Sequence, residues 1–187
     1  MELVDILDLK SGGQKPCGFE SRPEHQGRLF KWIVRVMNLR IVQRNIVGAF
    51  IFSDDGKLLL GKTIKGGVYA GCWVVPGGGM EPGEAETTAL IREVKEEIGI
   101  DIDDAKIEQI EGVLTGQSEK VLRETSEKVL VDMSFYNFKV TLQEKASAVK
   151  LVHEDDFIDA RWFAPEEVGS LKLSPPGIVI LQKLSLL

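Results

Sequence analysis

The chain has 187 residues, 43% hydrophobic and 28% charged, with a formal net charge of −6, enough for one domain with a substantial core. An acidic balance excludes a general nucleic-acid-coating role, which needs a basic face, and no apolar run is long enough to span a bilayer. Cys17 and Cys72 are far apart and form no CxxC pair, so neither a disulfide framework nor a cysteine zinc site is expected, and a reducing cytoplasm fits.

The N-terminal segment "MELVDILDLKSGGQKPCGFESRPEHQ" lacks a usable hydrophobic period and has neither the basic n-region nor the apolar h-region of a secretory signal. Back-translated, it resembles a leucine-type transfer-RNA gene read in frame: "GFES" is what a T-loop gives and "EHQ" fits an acceptor stem. Residues 1–36 are therefore expected to be a mis-assigned leader, with Met37 as the start of a single domain over 37–187. A disordered or regulatory arm is the competing reading.

From residue 41 the pattern is regular. "IVQRNIVGAFIFSDDGKLLLGKT" (41–63) predicts two strands around Asp54-Asp55-Gly56, a strong hairpin signal. "CWVVPGGG" (72–79) predicts a short strand broken by Pro76 and the glycines, with Pro82 and Gly83 keeping the following loop irregular. Residues 84–98 predict a helix stopped by Gly99. A turn and a strand follow over 100–116, then strands over 129–140 and 157–165, a short helix from Pro165, and a terminal helix over 175–187. Many strands with helices before the middle and at the end predict an α/β fold with a mixed sheet between helical layers.

The predicted helix over 84–98 carries an anomaly. Glu93, Glu96 and Glu97 crowd its C-terminal end, where the macrodipole favours cations, and Glu93 and Glu97 are like charges at i, i+4. They fall within an arc of about 100°, separate from the core stripe of Ile91, Val94 and Ile98. Ala85 and Ala89 lie on or beside the acidic face and are small enough to leave room for something bulky. A solvated acidic face is the ordinary reading of such a cluster. It does not explain why dipole and spacing rules fail together, whereas a divalent cation does, since clustered carboxylates are preferred ligands of Mg²⁺ or Mn²⁺. Gly77, Gly78 and Gly79 just upstream permit close approach of backbone to a ligand; on their own they would read as a tight turn.

Taken together, these residues resemble a known signature. Gly78, five residues, Glu84, seven residues and then "REVKEEIGI" (92–100) match the Nudix hydrolase box at every fixed position over 23 residues. The flanking pattern is similar from about residue 40 to the end. The resemblance implies an α/β/α sandwich around a central mixed sheet and hydrolysis of a diphosphate linked to another group, most often a nucleoside. It implies Glu93 and Glu97 as metal ligands, Glu96 as sharing the metal site or assisting the attacking water, the carbonyl of Gly77 as a further ligand, and Mg²⁺ as the ion with Mn²⁺ as the alternative. Glu93 and Glu96 also belong to the expected catalytic set, with Arg92 orienting the carboxylates. Gly78, Glu84 and Gly99 are expected to be structural. An extra carboxylate before Trp162 points to Asp156, for which a solvated acidic turn is an equal reading. His25 and His153 sit in no motif and read as surface residues.

The substrate is less defined. Thr115 and Gly116 stand where ADP-ribose enzymes carry Pro, and no Tyr lies near 117–118 as in dinucleoside polyphosphate enzymes. "GVYAGCWVVPGGGMEPGE", "VLVDMSFYNF" and "HEDDFIDARWF" resemble the small nucleoside-triphosphate pyrophosphatases, including a branch acting on pyrimidine deoxynucleotides. An ADP-ribose or nucleotide-sugar hydrolase and a non-catalytic nucleotide-binding regulator are the rival readings. Trp73, Phe135, Tyr136 and Phe138 are available to stack on a base, though strand aromatics are more often core. The expected partner is a nucleotide, with no nucleic acid and no membrane. Homodimerisation is common among such enzymes, but no residue marks it.

Overall fold

The computed structural model describes residues 3–5, 39–64, 69–122, 125–152 and 157–187. The strands are β1 (Leu3–Asp5), β2 (Arg40–Phe52), β3 (Leu58–Thr63), β4 (Trp73–Val74), β5 (Lys106–Gln109), β6 (Val113–Val121), β7 (Lys128–Thr141) and β8 (Phe157–Phe163). The helices are α1 (Glu86–Ile98), α2 (Pro165–Val168) and α3 (Pro175–Lys183). They build one mixed sheet in the order β1-β6-β7-β2-β3-β4, with β5 also on β7 and β8 also on β3.

The spine of the sheet is the parallel pair β2–β7, in register from Arg40↔Val129 to Phe52↔Thr141. The predicted hairpin joins β2 to β3 through the Phe52↔Leu58 pair, and Gly56 turns the corner at φ 78. The turn is anchored from outside, since Asp55 Oδ1 accepts the Ala146 N–H at 2.7 Å. β1 runs parallel to β6, with Leu3–Asp5 opposite Val113–Thr115.

Side chains alternate across β2 and β7 with the period of two that strands impose, and each face has its own core. Val47, Ala49, Ile51, Phe138 and Val140 face α1, which presents Ala89, Leu90, Val94 and Ile98. Phe50, Val129, Val131, Met133 and Phe135 face the other way, toward Val168 of α2 and Ile180 and Leu181 of α3. The result is the expected sandwich, with α1 on one side of a mixed sheet and the C-terminal helices on the other. Gly99 ends α1 in the left-handed conformation (φ 72), its N–H bonded to Lys95 O at 3.0 Å, as the sequence predicts.

Three expectations need correction. Ala89 leaves no open space beside the acidic face: it is fully buried, and its small side chain lets α1 settle close to the sheet. The strand expected to end at residue 116 continues through the polar run to Val121, paired with Lys128–Asp132 of β7; a cross-strand partner, invisible to local reading, carries it there. Cys72 is buried and disulfide-bonded, where the cysteine pattern of the sequence leads to the expectation of reduced thiols. Trp73, Phe135 and Phe138 are buried and pack into the core, Trp73 edge-on to Phe163 with ring centroids 4.7 Å apart. No helix among the described residues is long and apolar enough to cross a membrane.

Candidate active site

The site begins where β4 ends. The segment Pro76–Met80 runs along β2 like an irregular extra strand: the Ala49 N–H donates to Pro76 O at 2.8 Å, the Val47 N–H to Gly78 O at 2.9 Å, and the Met80 N–H to Asn45 O at 2.9 Å. This lacing is what the glycines permit. Gly77 holds φ +146, and any side chain there would run into the Val47 carbonyl oxygen. At Gly78 a side chain would occupy the place of the Glu93 carboxylate. The loop is therefore fixed to the sheet on one side and fitted to the acidic helix on the other.

Arg92 ties the two parts together. Its Nε donates to Glu84 Oε1 and its Nη2 to Glu84 Oε2, both at 2.9 Å, the two-pronged geometry that suits a guanidinium. Nη2 also reaches Gly79 O at 3.1 Å, while Nη1 bonds Glu93 Oε1 at 2.9 Å and Glu96 Oε2 at 3.2 Å. Glu84 accepts a further bond from the Glu81 N–H at 2.9 Å. On the far side of the cluster, Glu97 Oε2 accepts the Gly77 N–H at 2.8 Å. Thus Glu84, Arg92, Glu93, Glu96, Glu97 and the glycines, read from the sequence as one group, lie together. Asp156, His25 and His153 lie outside the described residues.

The electrostatics separate the carboxylates. Hydrogen bonding from Arg92, then from the Glu81 N–H, holds the Glu84 carboxyl down to about 2. Glu84 acts as a permanent anion whose charge is spent on Arg92. Glu93 is raised instead: burial dominates, Arg92 offsets it in part, and Glu96 adds repulsion. The Glu93 side chain is 13% exposed against 61% for Glu96, so Glu93 forms the floor of the site and Glu96 its rim. A largely buried carboxylate whose desolvation Arg92 offsets only in part is a suitable donor for a hard cation. Among the described residues, no three such groups already converge as a metal cage, because Arg92 and the Gly77 N–H hold their oxygens.

Two residues here were missed by reading along the chain. Arg44 of β2 brings its guanidinium over Gly79, with Nε and Nη2 each 2.9 Å from where a β-carbon would stand. Its signal lay in the alternation, since Arg44 falls in the same register as Val42, Ile46 and Phe50, which pack into the core. Asn137 of β7, opposite Gly48 of β2, is 6% exposed, and its Nδ2 has no partner. A single buried amide inside a β-rich run gives no local sign of its role.

The profile of the NUDIX domain matches residues 42–184. The nucleoside triphosphatase NudI of Enterobacter sp. (strain 638) is 46% identical over 57 residues, 30% of this chain and 40% of that protein; the chain thus spans less than half the length of that relative. The CTP pyrophosphohydrolase of Escherichia coli (strain K12) is 32% identical over 138 residues, 73% of this chain and 87% of that protein. Among solved structures, a MutT from the study of the Aliivibrio salmonicida and Vibrio cholerae proteins superposes with a TM-score of 0.55 at 19% identity, covering 76% of this chain and 96% of that one. This last likeness is one of fold.

Proposed function

The chain belongs to the Nudix family, and from that premise we propose that it hydrolyses a nucleoside triphosphate to a monophosphate and pyrophosphate, using a divalent cation. The observation that carries the reading is the fit between the Gly77–Gly79 loop and the Glu93–Glu97 face of α1, locked by Arg92 and Glu84. Similarity over most of its length to a CTP pyrophosphohydrolase supports a triphosphate substrate, with a pyrimidine base as the first to try.

Glu93, Glu96 and Glu97, with the carbonyl of Gly77, would hold Mg²⁺ or Mn²⁺. Bound there, the ion supplies neutralisation of phosphate oxygens and acidification of a water. The chain's own residues do the rest. Glu84 fixes Arg92 so that its remaining donors orient Glu93 and Glu96. The strand-like lacing of Pro76–Met80 to β2 keeps the loop from yielding when substrate charge approaches. Asp156 is the proposed acidic group that takes the proton from the attacking water. We place the protein in the cytoplasm, where nucleotides are available.

The test is a Mg²⁺-dependent hydrolysis screen across ribo- and deoxynucleoside triphosphates, ADP-ribose and nucleotide sugars, with products resolved. Monophosphate plus pyrophosphate from a subset of triphosphates is the expected result. Cleavage of a sugar nucleotide with triphosphates untouched would move the protein to that substrate class. Binding without turnover of any compound would make it a nucleotide-responsive regulator.

A further inference from the structure

We propose that Arg44 is a substrate-binding residue that grips the polyphosphate chain beside the carboxylate cluster. The inference rests on the triphosphatase reading and adds a residue to its site. Two guanidiniums approach the glycine loop among the described residues. Those of Arg92 are committed on every nitrogen: Nε and Nη2 to Glu84, Nη2 also to Gly79 O, and Nη1 to Glu93 and Glu96. Arg92 has nothing left for an incoming anion. Arg44 is different. It is exposed, its Nε and Nη2 each stand 2.9 Å from where a β-carbon of Gly79 would be, and it forms no ion pair with any described carboxylate.

An exposed arginine next to a group of glutamates ordinarily closes a salt bridge onto one of them. Arg44 is held back by its place on a regular strand. Its neighbour Asn45 is pinned to the loop through Met80, and Arg44 itself pairs in register with Met133 of β7. Its guanidinium is carried over Gly79, the residue whose carbonyl also bonds Arg92. The absence of a side chain at Gly79 keeps that space clear. A charged fork in an apolar register, next to the proposed cation cluster and without an ion-pair partner among the described carboxylates, is matched to a phosphate, which accepts two parallel N–H bonds from a guanidinium. Lys62, the neighbouring cation on β3, is placed instead over the Trp73 ring, 5.7 Å from its centre.

The alternative is that Arg44 merely offsets the negative potential of the glutamates. The two are separated by comparing wild type, Arg44→Ala and Arg44→Lys in two measurements. The first is calorimetric binding of inorganic pyrophosphate in Mg²⁺, which needs no turnover and so stands whether or not triphosphates are the substrate. The second is steady-state kinetics on whichever substrate the wild type cleaves, with melting temperature as the control for folding. The expected result is pyrophosphate affinity weakened by about tenfold or more in Arg44→Ala. KM should rise in parallel, kcat should change by less, and Arg44→Lys should recover part of the loss because it keeps the charge without the fork. Unchanged pyrophosphate affinity and KM in Arg44→Ala, with only tighter binding of Mg²⁺, would overturn the proposal. So would a wild type that does not bind pyrophosphate at all.

Discussion

Two glycine-bearing segments meet β2, the hairpin turn beyond its C-terminal end and the Pro76–Met80 loop alongside Asn45–Ala49, and the two differ in what the glycine is for. In the hairpin turn, Gly56 has a positive φ of 78 and open space around it, with nothing within 4 Å of the position a β-carbon would take. Its role is conformational. In the Pro76–Met80 loop, Gly78 has no positive φ, but a side chain there would displace the Glu93 carboxylate. Its role is to leave room for a functional group. The first turn shapes the chain, and the second is shaped around chemistry, which is why the second is where substitutions should reach activity.

The comparison can be broken by mutation, the largest effect being at the carboxylates the loop is fitted to. Glu97→Gln keeps the size of the side chain but removes a charge from the proposed cation site. Turnover is expected to fall by about 10²–10⁴-fold, read as pyrophosphate release, with the protein still folded by circular dichroism. Next come the loop glycines. Gly77→Ala forces a side chain onto the Val47 backbone oxygen at an unfavourable φ and should cost about 2–4 kcal/mol in chemical denaturation. Gly78→Ala should lower activity by about tenfold or more by displacing Glu93, with a smaller change in stability. Gly56→Ala, by contrast, should cost about 1 kcal/mol and leave kcat/KM alone. If Gly78→Ala and Gly56→Ala behave alike, the distinction between the two turns fails.

A smaller effect sharpens the same contrast through pH. The Glu84 carboxyl is lowered from 4.5 to about 2 in the folded protein. A depressed carboxyl stabilises the fold fully above its unfolded value, and the stabilisation is lost as pH falls through the folded one. Denaturation between about pH 4.5 and 2 should therefore show a decline in stability that Glu84→Gln reduces. The smallest effect is expected from removing residues 1–36, which should leave kcat/KM within about twofold; a large loss would make the N-terminal segment a working part of the protein.

How much was legible in the sequence follows from how local each signal is. The hairpin at Asp54–Gly56, the stop at Gly99 and the grouping of Glu93, Glu96 and Glu97 depend on spacing within one turn or one helix, whereas Glu84 and Arg92 joined that group through the resemblance to the family signature. The strand character of Gln117–Val121 depends on β7, the burial of Ala89 on how closely α1 approaches the sheet, and the position of Arg44 over Gly79 on how the loop is laced to β2. Each of these needs a partner distant in sequence. Arg44 did leave a trace, a charge in an apolar register, and such breaks in strand alternation can be searched for directly.

The central claim is that the Glu93–Glu97 face and the glycine loop together receive a divalent cation. It is tested most directly by calorimetric titration of Mn²⁺ into the wild-type protein and into Glu93→Gln and Glu97→Gln, with EDTA-treated samples. The account predicts saturable binding in the wild type, weakened by about tenfold or more in each variant, with recovery of activity tracking occupancy. Equal Mn²⁺ binding by all three proteins, or no binding by a wild type that still turns over substrate in EDTA, would contradict it.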